Sequence, residues 1–255
     1  MSGVKTDRLD VLGVGVSPVN MDLAAQEIGR WIESGTKHYA MLTGVHGLME
    51  AVRNPGLRAI YNYSGLSLPD GMPMVWLLWQ AGFSHADRVY GPDLMLDLFA
   101  RSESAGYRHF LYGGNDETLE RLVANLTARF PKAQIVGRHA PPFRPAGASE
   151  DETVIAAINE ARPDIVWVGL GTPKQDLWMA NHRGRLNAAA LIGVGAAFDF
   201  HAGLLRQAPH WIQRAGLEWL FRLAMEPRRL FVRYAVNVPS FMFLIGLQKL
   251  GLRRS

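Results

Sequence analysis

No cysteine occurs among the 255 residues of this chain. Its absence excludes a disulfide-stabilised scaffold, a zinc site with thiolate ligands and a cysteine nucleophile. Charged residues make up only 20% of the sequence against 48% hydrophobic residues, a balance that is typical of a globular protein and argues against a disordered chain or a coiled coil. The length fits one large domain, alone or with an appendage.

Several signatures of enzyme classes are also missing. The chain contains no complete G-x-G-x-x-G, no G-x-x-x-x-G-K-[ST] and no G-x-S-x-G, and its eight histidines form no H-x-x-x-H pair. These absences argue against an α/β-hydrolase triad and a metal site, so no metal ligand is predicted. The first ten residues carry charges at Lys5, Asp7 and Arg8, where a signal peptide would have an apolar run, and we therefore expect a cytoplasmic protein.

The basic charge is concentrated at the C-terminal end. After Phe221 there are seven basic residues and a single acidic one, Glu226, whereas the first 221 residues hold 20 basic and 22 acidic groups. The first 221 residues are therefore weakly acidic, although the whole chain has a net charge of +4. This asymmetry predicts an anionic partner for the C-terminal segment: lipid head groups, a phosphate-bearing substrate or nucleic acid.

The same segment contains an apolar run. Residues 234–248 are all uncharged, but Asn237 and Pro239 interrupt them. Because a membrane span needs about 18 or more apolar residues, we predict a segment that lies on a membrane surface. Docking of this run on the protein core or on another subunit stays open as the alternative.

Short apolar runs alternate with amphipathic runs along the rest of the chain, which is typical of a parallel sheet covered on both faces by helices. We therefore predict an α/β fold: a Rossmann-like catalytic domain over residues 1–203, then a C-terminal basic helical appendage over residues 204–255. The longest loop-like stretch, 138–149, fits either a mobile active-site loop or a plain connection. The predicted strands are 9–16, 39–43, 66–68, 109–112, 134–136, 164–168 and 189–194, and the predicted helices include 21–31, 46–52, 116–130 and 153–161.

Three predicted strands end in glycine-rich junctions, at Gly113-Gly114, Gly169-Leu170-Gly171 and Gly193-Val194-Gly195. Glycine lets the backbone approach a ligand, and a following helix N-terminus offers amide donors to phosphate. Ligands of open α/β sheets gather at the carboxyl ends of the strands. The three junctions together favour a nucleotide or sugar-phosphate site, although each alone fits a tight turn equally well.

Two carboxylates lie close to predicted strand ends. Asp70, in Pro69-Asp70-Gly71, fits either a turn aspartate or a general base held at a strand end. Asp199 lies between two phenylalanines shortly after Gly195, which suits a ribose or sugar hydroxyl, with an internal capping role as the alternative.

Ordered motifs from about residue 10 to 235 make the chain resemble the WecG/TagA/CpsF family of bacterial glycosyltransferases. No single motif is specific, but their combination and order are. The motifs are Thr43-Gly44-Val45-His46, Leu68-Pro69-Asp70-Gly71-Met72-Pro73, Arg88-Val89-Tyr90-Gly91-Pro92-Asp93-Leu94, Leu111-Tyr112-Gly113-Gly114, the run from Pro163 to Gln175, Gly193-Val194-Gly195-Ala196-Ala197-Phe198-Asp199, Ala208-Pro209, Gly216-Leu217-Glu218-Trp219-Leu220-Phe221-Arg222 and Glu226-Pro227-Arg228-Arg229.

The resemblance implies an inverting transfer of a sugar from a UDP-sugar to a polyprenyl-diphosphate-linked saccharide at the inner face of the cytoplasmic membrane. The sugar would be of the N-acetylmannosamine type, its uronic acid or glucose, and no metal or other cofactor is expected. The chain departs from the family at two places. Thr43-Gly44-Val45 replaces a Thr-x-Asn motif, so that the asparagine contact is absent or is taken over by His46, and Asp176 stands where the family usually has glutamate.

The resemblance also implies the site residues. Asp70 would be the base that deprotonates the acceptor hydroxyl, since the family's proposed catalytic carboxylate falls there. Without a metal, the leaving diphosphate needs cationic side chains, and a helix that starts at Pro227 would bring Arg229 and Arg233 to one face. If the helix were uninterrupted, Arg222 would share that face. The predicted catalytic residues are Asp70, Thr43, Arg88 and Gln175, and the predicted substrate-binding residues are Gly113, Gly114, Gly171, Pro173, Gly195, Asp199, Arg222, Arg229 and Arg233.

Two other classes of function remain as alternatives. A nicotinamide-dependent oxidoreductase would use a similar sheet, but the chain has no G-x-G-x-x-G followed by an acidic residue about 20 positions on. A non-enzymatic protein that binds membrane or nucleic acid through its basic tail would leave the strand-end glycines and Asp70 without a role. We therefore predict no nucleic-acid partner.

Overall fold

The computed structural model of the chain describes residues 8–142 and 152–252. The strands are β1 (Leu9–Val11), β2 (Val14–Val16), β3 (His38–Thr43), β4 (Leu66–Pro69), β5 (Arg108–Gly113), β6 (Gln134–His139), β7 (Ile165–Gly169) and β8 (Ala190–Gly193). The helices are α1 (Met21–Ser34), α2 (Val45–Arg53), α3 (Pro55–Tyr63), α4 (Met72–Gln80), α5 (Gly91–Ala105), α6 (Asp116–Arg129), α7 (Glu152–Glu160), α8 (Lys174–His182), α9 (Ala197–His201), α10 (His210–Arg214), α11 (Glu218–Met225) and α12 (Pro227–Lys249).

Six strands form one sheet in the order β4-β3-β8-β7-β5-β6, and every neighbouring pair is parallel. The carboxyl ends of these strands therefore lie along the same edge. Helices form the crossovers, as parallel pairing requires. The predicted α/β fold with a parallel sheet is confirmed.

The two faces of the sheet carry separate buried cores. Along β7, Ile165 and Trp167 pack with residues of α1, α5, α6 and α9, whereas Val166 and Val168 pack with residues of α2, α3, α4, α7 and α8. This alternation follows from the two-residue period of side chains in a strand. Both faces are covered by helices, which is why the central strands consist almost entirely of apolar residues.

Asparagine side chains start three of the helices. The Oδ1 atoms of Asn20, Asn54 and Asn115 accept hydrogen bonds from backbone N–H groups in the first turns of α1, α3 and α6, at 3.0, 3.1 and 2.8 Å. Each bond satisfies a donor that the helix itself cannot pair. These caps fix where the helices leave the sheet.

The structure differs from the predictions at several places. The single strand predicted over 9–16 is wrong: β1 and β2 form an antiparallel hairpin closed by Leu12 and Gly13, which both have positive φ angles, of 56° and 89°. A two-residue hairpin turn of type I′ has positive φ at both positions, and leucine at the first gives no turn signal. Helices α3 and α5 were not predicted, and most of the loop-like stretch 138–149 lies outside the described residues.

The C-terminal helix α12 docks on the body of the protein. Phe241 is buried in the same core as residues of α2, against which α12 packs, and the side chain of Gln248 accepts from the Leu12 N–H at 3.1 Å and donates to the Asp10 carbonyl at 3.2 Å. The helix is longer than the uncharged run 234–248: its 23 residues contain an 18-residue window of mean hydropathy 1.6, which by length and composition alone would suffice to cross a membrane. Only 17% of its most apolar window is buried, so one face packs on protein and the rest is open. The domain boundary at residue 204 stays a prediction.

Candidate active site

The candidate site lies at the edge where the parallel strands end. Thr43 is the last residue of β3, Asp70 follows β4, and Gly195 follows β8, which pairs with β3. Helices α11 and α12 carry the predicted arginines, and α12 packs against α2, which starts at this same edge. The site is therefore formed jointly by the sheet and the C-terminal helices.

Asp70 is held in a loop between β4 and α4. Its backbone N–H donates to the Thr43 carbonyl at 3.2 Å, and Gly44 passes so close that a Cβ there would lie 2.8 Å from the Asp70 carbonyl oxygen. The carboxylate Oδ1 is shielded from solvent and has no hydrogen-bond partner among the described residues. Burial raises the pKa of this carboxyl to about 6, against the opposing charges of Arg88 and Arg222. A carboxylate with this pKa can act as a base near neutral pH.

Arg88 joins the sheet domain to the C-terminal helices. Its Nη1 donates to Gln213 Oε1 at 2.6 Å, and its Nη2 forms an ion pair with Glu218. The guanidinium carbon lies 4.0 Å from the centre of the Tyr90 ring, a cation–π distance. Three contacts thus fix the guanidinium beside Asp70, while its Nε has no partner among the described residues.

Thr43 and Gln175, both predicted as catalytic, are buried and bonded to the protein itself. The Thr43 hydroxyl shares a 2.7 Å hydrogen bond with the Ser67 hydroxyl on the neighbouring strand. Gln175 Oε1 accepts from the backbone N–H groups of Gly171 and Gly195, at 3.1 and 3.0 Å. In this geometry the Thr43 side chain links β3 to β4 beneath the site, and the Gln175 side chain links the loops that follow β7 and β8.

The predicted glycines have two different roles. Gly113 has a φ of 128°, and a Cβ there would lie 2.6 Å from Gly169, so close packing of β5 on β7 accounts for this glycine. Its neighbour Gly114 faces Thr118 and Phe198. Gly171, by contrast, borders open space with a φ of 74°, and Pro173 follows it as the N-cap of α8 after a cis peptide bond. The N–H groups of Gly171 and Gly195 already donate to Gln175 Oε1, so what the β7 and β8 junctions offer a ligand is the open space beside Gly171.

The three predicted arginines converge although they come from two helices. Glu226 has non-helical backbone angles and separates α11 from α12, so Arg222 does not continue the row formed by Arg229 and Arg233. The turn nevertheless brings the three side chains near one another. The pKa of Arg233 shows this, since burial lowers it most and the charges of Arg222 and Arg229 lower it further. Arg229 pairs with Glu226 at 2.5 Å. In the described part of the chain, neither Arg222 nor Arg233 has an ion-pair partner.

Asp199 lies near this arginine cluster, which we define as Arg222, Arg229 and Arg233. Burial raises the pKa of its carboxyl, and the charges of Arg229 and Arg222 act against that rise. Arg222 also approaches the neighbouring Phe200 ring, 6.0 Å from its centre. Asp199 therefore faces cations in this structure. Its predicted contact with a ribose or sugar hydroxyl stays a prediction.

Two polar groups of the site were missed by the sequence reasoning. The Tyr90 hydroxyl is buried without a partner among the described residues, and burial together with Glu218 and Asp70 raises its pKa, so that it stays a neutral donor. Glu218 itself fixes Arg88. Tyr90 and Glu218 both lie in motifs that carry the resemblance, and membership of these motifs is the sequence signal from which their roles could have been predicted. His46, considered only as a replacement for asparagine, also faces the arginine cluster.

Fold and site together define an α/β protein with a base-competent carboxylate and arginines placed for an anionic ligand. The chain matches the model of the glycosyl transferase WecG/TagA/CpsF family over residues 9–255, and it belongs to that family. It is therefore a glycosyltransferase, as the resemblance implied. An oxidoreductase and a non-enzymatic binding protein, the two alternatives, are thereby set aside.

Named relatives lie within the same family. The chain is 30% identical over 196 residues, 76% of its length and 73% of the relative, to the N-acetylglucosaminyldiphosphoundecaprenol N-acetyl-beta-D-mannosaminyltransferase of Bacillus subtilis (strain 168). It is 24% identical over 252 residues, 98% of its length and 96% of the relative, to a protein of the same name from Staphylococcus aureus (strain MW2). The second similarity spans both the sheet and the C-terminal helices.

Proposed function

We propose that this protein transfers a sugar of the N-acetylmannosamine type from a UDP-sugar to a polyprenyl-diphosphate-linked saccharide, in the synthesis of a cell-surface polysaccharide. The observation that carries the proposal is the meeting of Asp70, a carboxylate whose pKa is raised to about 6, with Arg222, an arginine of the cluster that has no ion-pair partner among the described residues. The names of the relatives from Bacillus subtilis and Staphylococcus aureus support this donor sugar and a diphosphate-linked acceptor.

In the proposed reaction Asp70 removes the proton from the acceptor hydroxyl. The freed oxygen attacks the anomeric carbon of the donor sugar while the bond from that carbon to the UDP oxygen breaks, which inverts the anomeric centre. The proton ends on Asp70 and the negative charge on UDP. Because the carboxyl titrates near pH 6, it is ionised at neutral pH yet basic enough to accept a proton in the transition state.

The departing diphosphate needs positive charge, and the arginine cluster offers it. Arginine presents a planar fork of donors that matches phosphate oxygens. Burial is the main reason why the pKa of Arg233 is lowered, and the positive charges of Arg222 and Arg229 lower it further, so these cations repel one another in the free protein. An anion between them relieves this repulsion, so the cluster favours the charge that develops on the leaving group.

This arrangement predicts activity without a divalent metal. Among the described residues no group of three or more His, Asp or Glu side chains is placed to hold a metal ion. We expect turnover to survive EDTA at millimolar concentration, because arginines and not Mg²⁺ neutralise the diphosphate. The measurement is UDP release before and after chelation. A loss of activity that Mg²⁺ or Mn²⁺ restores would contradict the prediction.

The outer face of α12 supports contact with the membrane that holds the acceptor. Leu230, Asn237 and Phe241 are buried on one side of the helix. The opposite side is apolar and open to solvent over more than two turns, with Arg228 and Lys249 near its ends. Such a helix can lie in the head-group region with its apolar side inserted. The exposed apolar residues of this face are Phe231, Val232, Val236, Met242 and Phe243.

Substituting serine for Phe231, Met242 and Phe243 together is expected to weaken binding to anionic liposomes by about 10-fold or more, because apolar insertion is lost. Turnover on a short-chain, soluble acceptor is expected to be unchanged. Removing the whole helix would be a poorer test, since it would also strip out buried Phe241. Tyr63→Ser, at an exposed aromatic on α3, is the control. Equal liposome binding by the triple variant and the wild type would contradict a membrane role for this face.

The proposed function is tested by screening UDP-sugars with a polyprenyl-diphosphate-linked N-acetylglucosamine acceptor and following UDP release. UDP-N-acetylmannosamine is the expected donor, and its uronic acid and UDP-glucose are the comparison donors. The product linkage, read by NMR, reports whether the anomeric centre is inverted. Absence of transfer from all three donors would overturn the proposal.

A further inference from the structure

His46 lies in the first turn of α2, where it meets the C-terminal helix. Its Nδ1 is 3.1 Å from Asn237 Nδ2, and this contact joins α2 to α12. Its Nε2 is shielded from solvent and has no hydrogen-bond partner among the described residues. A buried polar atom left unpaired is costly, and its presence at a substrate edge points to a ligand that pairs with it.

The hydrogen bonds around Asn237 fix which nitrogen of His46 carries the proton. Arg53 Nη2 donates to Asn237 Oδ1, because a guanidinium has only donors. The amide of Asn237 is thereby oriented with its NH₂ group toward His46, and it donates to Nδ1. Glu50 Oε1, 3.9 Å from Nδ1, is too far away to accept a hydrogen bond from it. Nδ1 is thus the acceptor, and the proton of the neutral ring lies on Nε2.

The charges around His46 keep the ring neutral. Burial is the main effect, and Arg233 of α12, Arg53 of α2 and Arg222 of α11 also lower the pKa of the imidazole, to about 4. Glu50 is the nearby carboxylate, and its distance leaves these three cations dominant. At neutral pH the ring is therefore a hydrogen-bond donor without charge, set among arginines that attract an anion.

We propose that the Nε2–H group of His46 donates a hydrogen bond to a phosphoryl oxygen of a diphosphate-bearing substrate, and that Asn237 of α12 fixes the tautomer that makes this possible. The inference rests on the proposed function and adds a binding residue to it. The diphosphate belongs either to the nucleotide donor or to the lipid-linked acceptor. Docking of α12 thus prepares the site through His46 as well as through the arginines.

Binding measurements with His46→Leu and His46→Gln test the proposal. Glutamine places an amide N–H close to the position of Nε2, whereas leucine removes the donor. We expect His46→Leu to weaken binding of UDP, or of a short-chain prenyl-diphosphate acceptor, by about 10-fold or more, the range of a hydrogen bond to a charged group. His46→Gln is expected to stay within a few-fold of wild type. His85→Leu, at an exposed histidine outside the arginine cluster, is the control.

The ligand that His46→Leu weakens identifies which diphosphate the histidine contacts. If His46→Leu binds both ligands like wild type, or if His46→Gln is as weak as His46→Leu, the inference is overturned while the proposed function stands. If wild type binds neither ligand, both are overturned. Nitrogen-15 NMR of the ligand-free full chain adds a readout that needs no ligand, with the His46 signals assigned by their loss in His46→Gln. A proton on Nδ1 would overturn the tautomer assignment and with it the inference.

Discussion

Asp70→Asn is expected to lower turnover by about 10²–10⁴-fold, the range for loss of a general base, while binding of UDP is retained. The amide is isosteric with the carboxylate, and the backbone bond from Asp70 to Thr43 does not depend on the side chain. Turnover is followed as UDP release, and UDP binding by calorimetry. A variant that turned over within a few-fold of wild type would remove Asp70 from the role of base.

The pH profile of the wild type tests the same role independently. Only the ionised carboxylate can accept the proton, and the pKa of Asp70 is raised to about 6. The rate kcat/KM should therefore rise as the pH increases through about 6 and level off above pH 7. In Asp70→Asn the residual kcat/KM should not show this rise between about pH 5 and pH 7.

The raised pKa also has a consequence for stability. A carboxyl whose pKa is higher in the folded state than in the unfolded state stabilises the fold when protonated, and this contribution is lost as the pH rises through about 6. At pH 7.5 the ionised Asp70 therefore destabilises the free protein. Asp70→Asn should unfold at a temperature at least as high as that of wild type. A lower midpoint would mean that the variant disturbs the loop, and its loss of turnover could not then be assigned to the base.

Much of the fold could be predicted because it depends on local patterns. Apolar runs such as 164–168 have the length and composition of buried parallel strands, and the order of strands and helices then gives the sheet. Helix α3 was missed although Asn54-Pro55 carries a cap and a first-turn proline, both recognisable signals. The hairpin turn at Leu12 gave no such signal, since leucine rarely adopts a positive φ.

Strand order alone predicts only the part of the site that lies on strand ends, whereas the arginines were predicted from the resemblance and from the charge of the leaving diphosphate. Asp70 and Gly171 follow strands, and the parallel sheet aligns them without further information. The contact of Arg88 with Glu218 joins residues 130 positions apart, so it depends on how the C-terminal helices fold back. The same holds for Arg222, which reaches the cluster through the turn at Glu226 and not through a continuous helix. Sequence spacing therefore related Arg229 to Arg233, but it related Arg222 to them only through an uninterrupted helix, and the break at Glu226 rules that helix out.

Changing Arg222, Arg229 and Arg233 together to glutamine is expected to reduce turnover by at least about 10³-fold, even on a soluble acceptor. Loss of one donor that stabilises transition-state charge typically costs about 10²–10³-fold, and the three arginines provide the cationic side of this site. Binding of UDP should weaken as well, since the diphosphate is bound before it departs. A soluble acceptor removes the membrane from the assay, so that the loss reports on the chemistry.

A matched control separates this effect from net charge. Arg30, Arg121 and Arg185 are partly or largely exposed and pair with Glu27, Glu117 and Glu152, away from the arginine cluster. Their conversion to glutamine removes the same three charges and should leave turnover on the soluble acceptor within a few-fold of wild type, because exposed ion pairs contribute little. If the cluster variant reacted normally with the soluble acceptor but no longer bound liposomes, the arginines would serve only to hold the protein on the membrane. The diphosphate would then need another source of positive charge, and Arg88, which is mostly shielded from solvent and acts on Asp70, would be the candidate.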